Sequence, residues 1–247
     1  MTLGDLYQGD QWRQAQALSE AALRAGFTPR LYVASAGLGL RPVSSLAPSY
    51  AATFTPRHED SVTSSSERTA DWWDHLQRMD GARSLRQLAA AGRLLLVLSE
   101  TYAQAMHRDL VALAATGSDA VLVGGASSIT GIHRVPANAA LRNELGGTLT
   151  SLNTRTAARW LAHCTPGRLI TPAAEKRWDA WVERHARPER YARQPMTDDE
   201  IVAFIRHNHA LNPDCSRTRL LRLLRDEGKA CEQKRFADLY ASTIGRR

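Results

Sequence analysis

Cysteine is scarce in this 247-residue chain. Cys164, Cys215 and Cys231 are odd in number, far apart and without a CxxC pair. That excludes a disulfide framework and a cysteine zinc site, and it fits a reducing, cytoplasmic setting. Long apolar runs are missing too. The longest, 94–98, is strand-sized, far short of the ~20 residues of a membrane span, so no membrane partner is expected. The first ten residues are neither basic nor apolar enough for a secretory signal. No HExxH, GxSxG, Walker loop or GxGxxG occurs, which removes support for a zincin, a serine hydrolase and the common nucleotide cradles. The histidines show no ligand spacing, and neither metal nor cofactor is expected. Lysine is confined to Lys176, Lys229 and Lys234. Repeats and low-complexity tracts are absent.

What is present suits a folded chain. Hydrophobic residues make up 43% and charged residues 23%, enough for a sizeable core and too balanced for global disorder. The net charge of +7 is uneven. Residues 165–247 hold 17 basic against 12 acidic side chains, and residues 1–164 hold 15 against 13. The basic excess is mostly arginine, which contacts phosphate and guanine bidentately. A double-stranded DNA partner is expected, the plain alternative being a solvated surface.

Periodicity divides the chain into three parts. Residues 1–165 alternate helices (11–25, 71–79, 84–91, 99–115, 137–144, 153–163) with short apolar strands (31–34, 93–98, 119–123). This predicts an α/β domain with a small parallel sheet sandwiched by helices. Residues 40–66 read as a long ordered loop. Residues 166–195 read as an Arg/Trp/Pro-rich connector carrying a helix over 173–187. Residues 196–247 read as a basic three-helix module. Thr197 with Glu200 forms a capping box there, and Ser216 caps the next helix.

Three strand ends carry small residues: Ser35-Ala-Gly37-Leu38-Gly, Leu98-Ser99-Glu100, and Gly124-Gly125-Ala-Ser127-Ser. On one parallel sheet they would converge on a single crevice, where open α/β sheets bind ligands. Each alone is equally an ordinary turn or helix cap. Tyr50, Phe54, His58, Glu59 and Asp60 share one loop; aromatics can stack a base and a carboxylate can orient water. The plain alternative is a polar loop with its aromatics in the core. Asp60 and Glu100 are the catalytic candidates. In the tail, Arg217, Arg219, Arg222 and Arg225, a Gly228 turn, and then Gln233, Lys234 and Arg235 resemble helix-turn-helix geometry. A three-helix packing module with a solvated basic face is the alternative.

The run Asp5-Leu-Tyr-Gln-Gly9, the 11–25 helix, Leu31-Tyr-Val-Ala-Ser-Ala-Gly-Leu-Gly-Leu40 and Pro48-Ser-Tyr50 resembles an uncharacterised α/β family with an LYxG…SAxxGL…PxY pattern. The family occurs in phages, bacterial defence loci and DNA-modification loci. Its fold is similar to the uracil-DNA-glycosylase-like sandwich, and anti-phage DNA glycosylases belong to the same resemblance. The match spans roughly 5–162. By motif it implies Tyr7, Gln8, Ser35, Gly37, Leu38 and Tyr50 as base-pocket residues; Ser99, Gly124, Gly125 and Ser127 join them from the strand ends. Family members begin with a further strand before LYxG, and that strand is not expected here, where Met1 stands just ahead of Asp5. The function implied is excision of a modified nucleobase, a bulky phage base being the candidate, by base flipping and N-glycosidic hydrolysis in antiviral defence. The alternatives are a non-catalytic DNA-binding regulator with a nucleotide-binding α/β domain, and an enzyme acting on free modified nucleotides.

Overall fold

The computed structural model describes all residues except 57, 64, 66, 188–193, 246 and 247. The chain divides into two units, Met1–Pro188 and Glu189–Arg247.

In the first unit, a single helical turn, α1 (Leu3–Leu6), starts in a capping box between Thr2 and Asp5. It leads to α2 (Asp10–Arg24). Strands β1 (Tyr32–Ser35) and β2 (Gly39–Pro42) then pair antiparallel, from Tyr32 opposite Pro42 to Ser35 opposite Gly39. The sequence places 31–34 in the parallel sheet and 40–42 in a loop; the structure corrects both. The Ser35–Gly39 turn is so tight that β1 spends its hydrogen bonds on its immediate successor.

Helices α3 (Glu67–Gln77) and α4 (Leu85–Ala91) precede β3 (Leu94–Leu98). The expected 99–115 helix is two, α5 (Glu100–Ala105) and α6 (His107–Ala114), interrupted at Met106. Strands β4 (Ala120–Gly124) and β5 (His133–Val135) complete a parallel three-stranded sheet in the order β3-β4-β5. Then come α7 (Arg142–Leu145), α8 (Leu152–Leu161) and α9 (Pro172–His185).

The period of two along the strands explains the layers. Leu98, Ala120 and Leu122 face a core with Trp73, Leu76, Met106, Leu110 and Leu113 of α3, α5 and α6. Val121, Val123 and Val135 face the other way, into a core with Ala157 and Trp160 of α8 and Trp178 of α9. The sheet is therefore flanked by helices on both faces. Strand β4 is buried along its whole length, as a central parallel strand must be. Residues 166–185 belong to this unit rather than to a connector, because Leu169, Ala174 and Trp178 are buried in it. The rest of that stretch lies largely outside the described residues. All six tryptophans are in the first unit.

The second unit has its own core. Helices α10 (Asp198–Leu211), α11 (Arg217–Asp226) and α12 (Gln233–Ile244) bury Ile201, Ile205, Leu220, Leu224 and Phe236. Two-residue strands β6 (Gln194–Pro195) and β7 (Lys229–Ala230) pair in parallel. Among the described residues no helix is long and apolar enough to cross a membrane.

Candidate functional site

Ser35 ends β1 and is buried. Its Oγ accepts the backbone N–H groups of Gly37 and Leu38, each at 3.1 Å. With both lone pairs occupied, the hydroxyl proton goes to the Tyr50 oxygen, 2.6 Å away. The Tyr50 and Tyr7 hydroxyls are hydrogen-bonded to each other at 2.6 Å. Burial, and after it the hydrogen bond with Tyr50, pushes the Tyr7 phenol well above the usual tyrosine range. The group is built to donate and not to ionise.

Local sequence sets this geometry. A Cβ at Gly37 would lie 3.0 Å from the Tyr50 ring and 3.2 Å from Ala52; glycine lets the ring rest on the turn. The α1 turn is pinned by Leu3 N–H to Ser45 O and Gly4 N–H to Val43 O, each 2.9 Å. Tyr7 leaves that turn with its ring 5.4 Å from that of Trp12. The Ala36 carbonyl accepts the Trp72 indole N–H at 2.8 Å, and a backbone hydrogen bond from Ala36 reaches the Tyr102 phenol oxygen. Burial also raises the Tyr102 phenol.

The other two strand ends join the same region. Ser99 caps α5 by accepting the Tyr102 N–H at 3.3 Å. The Leu98 carbonyl accepts Gly125 N–H at 3.0 Å and the Asn153 side-chain amide at 2.8 Å. Arg134 donates to the Gly124 carbonyl at 2.9 Å and to that of Gly125. Gly125 lies against Ala103 of α5. Tyr102 thus ties the 35–38 turn to α5, and Gly125 ties the end of β4 to the same helix.

The sequence candidates fare unevenly. Tyr7, Ser35, Gly37, Leu38 and Tyr50 form one hydrogen-bonded group; Ser99, Gly124 and Gly125 stand beside it. Gln8 and Ser127 are exposed and make no hydrogen bond among the described residues. Asp60 folds back on His58, its N–H 3.2 Å from the imidazole Nδ1. Glu100 is exposed in the first turn of α5. Neither carboxylate is hydrogen-bonded into the tyrosine chain. Two cavities stand out among the described residues, and neither lies here. One, of about 560 Å³, opens at the opposite end of the sheet beside Arg93, Asp119 and Arg168. The other, of about 310 Å³, is in the second unit and is lined by Arg217, Arg222 and Gln233 among others.

Sequence reasoning missed Trp12, Trp72, Tyr102, Asn153 and Arg134 as members of this region. Only Tyr102 carried a signal, three residues after the capping Ser99. In the second unit, Arg219 and Lys234 are exposed. Arg235 departs from the expected groove-facing role: its guanidinium bonds Asp198 at 2.7 Å, tying α12 to the start of α10.

No family model matches this chain, and no curated protein or solved structure is similar enough to it to count as a match.

Proposed function

We propose that the chain is a DNA N-glycosidase of the uracil-glycosylase-like type, acting on a modified base in antiviral defence. The observation that carries this reading is the Ser35–Tyr50–Tyr7 hydroxyl chain, set where the ends of β1, β3 and β4 gather. A base extruded from the duplex stacks on the Tyr7 and Trp12 rings. The bond from the base nitrogen to the sugar breaks with its electron pair going to the base. The Tyr7 hydroxyl, kept protonated by burial, donates to the base as that charge develops. The sugar cation is balanced by the DNA phosphates and by Asp60 or Glu100, and water adds to it, its proton passing to the base. Entry requires the Tyr50 and Tyr7 rings to yield. The second unit, read as a helix-turn-helix-like module, holds the duplex.

The tight seat of Tyr50 on Gly37 favours one rival: a non-catalytic DNA-binding regulator in which the tyrosines are a structural rivet. Incubation with DNA carrying different base modifications, followed by alkali, separates the two. The glycosidase leaves abasic sites that break; the regulator binds without them. Tyr7→Phe is expected to lower base release by about 10²-fold, the effect of losing one preorganised donor. Asp60→Asn and Glu100→Gln identify the carboxylate, and full activity in both removes that assignment.

A further inference from the structure

Helices α11 and α12 of the second unit part around the hollow of about 310 Å³. Its floor is apolar, made by the buried Leu221 and Phe236. Its rim is basic. Arg217, Arg222 and Arg225 project from one side of α11, and Gln233, the first residue of α12, stands across from them. Asp226 is the acidic group on the rim, 3.8 Å from Arg222. Among the described residues Arg217 has no hydrogen-bonding or ionic partner. Arg225 is anchored on the Cys231 carbonyl at 3.3 Å. Glu232 occupies the N-cap position of α12 without capping it by its side chain, so the first N–H groups of that helix lack the usual side-chain acceptor.

We infer that this hollow seats a phosphodiester of the DNA backbone. The inference rests on DNA being the partner, as proposed above, and adds where and how the duplex is held. Guanidinium forks match phosphate oxygens in pairs. The three rim arginines outweigh Asp226, and the α12 N-terminus adds its own positive pole. The volume exceeds one phosphate, and the apolar floor suits the carbon face of the adjoining sugar. Reading of bases by 233–235 gives way to capture of the backbone, because Arg235 is already committed to Asp198. Contacts of this kind position a duplex without reading its sequence.

The test uses the full chain and a short, unmodified, fluorescently labelled duplex, with anisotropy followed between about 50 and 200 mM salt. Arg217→Gln and Arg222→Gln are each expected to lower the slope of log affinity on log salt by about one, and affinity at ~0.1 M salt by roughly tenfold. The double variant loses about twice as much slope. Asp226→Asn strengthens binding, an effect that a merely structural role would not produce. Arg219→Gln, outside the hollow, moves both readouts much less. Both substituted arginines are exposed, and melting temperatures equal to the wild type confirm that the variants are folded. An unchanged slope in the folded double variant, with the wild type still bound, overturns the hollow and leaves DNA as the partner. Absence of salt-dependent wild-type binding overturns both. Inorganic phosphate or an acidic peptide competing as well per charge as the duplex also overturns the assignment. Base release by the wild type is scored separately, so the glycosidase can fail while the backbone site stands.

Discussion

Tyr7 sits where burial and a neighbouring hydroxyl both oppose ionisation. In the unfolded chain the same phenol titrates near 10. Folded Tyr7 keeps its proton above that pH, so the stability it contributes is present below about pH 10 and declines as pH rises beyond it. Tyr7→Phe removes one hydrogen bond, a loss of about 1 kcal/mol at neutral pH. Urea unfolding of wild type and variant from about pH 8 to 11 is expected to show that gap narrowing above pH 10. A constant gap would show that the phenol titrates alike in both states. Cys164 follows the same logic. Burial pushes its thiol up to about 11, and its Sγ donates to the Leu169 carbonyl at 3.4 Å. Such a thiol is a packing group at neutral pH, not a nucleophile.

Among the elements, the β4 terminus is the least forgiving. Gly124 has φ +91°, and a Cβ there would run into the Leu98 carbonyl and the Asn153 amide. Gly124→Ala is expected to cost about 3 kcal/mol, from strain and overpacking together. The chemical denaturation midpoint reads this directly, and an unchanged midpoint would mean that the strand end is slack. How far elements were legible in the sequence follows from the range of their causes. The Ser99, Thr197 and Ser216 caps are side-chain-to-backbone bonds within three residues, and all three are present. Strands β3 and β4 announce themselves by apolar runs. Strands β2 and β5 are three or four residues long, carry Arg41 and Arg134, and exist because of what lies beside them. The same holds at the candidate site. The 35–38 turn and Tyr50 were legible because they are close in sequence. Trp72 reaches Ala36 across 36 positions and Asn153 reaches Leu98 across 55, and no spacing rule reports such pairs. The break at Met106 escaped because Tyr102, Leu110 and Leu113 keep one apolar face across it.

At the scale of the molecule, two separately cored units share one chain. The second unit is short, and Phe236 is at its centre with no exposed surface. Phe236→Ala is expected to cost about 3–5 kcal/mol, comparable with the whole stability that ~60 residues can build. Helical circular dichroism should therefore fall at room temperature, while the first unit keeps its own transition. Loss of both transitions together would show that the cores are coupled.

Every indole is confined to the larger unit. Intrinsic emission excited at the red edge consequently originates in that unit alone. A quench or blue shift on adding DNA would report an event at one of the six indoles of that unit, and silence alongside a rise in anisotropy would report binding that leaves all six undisturbed.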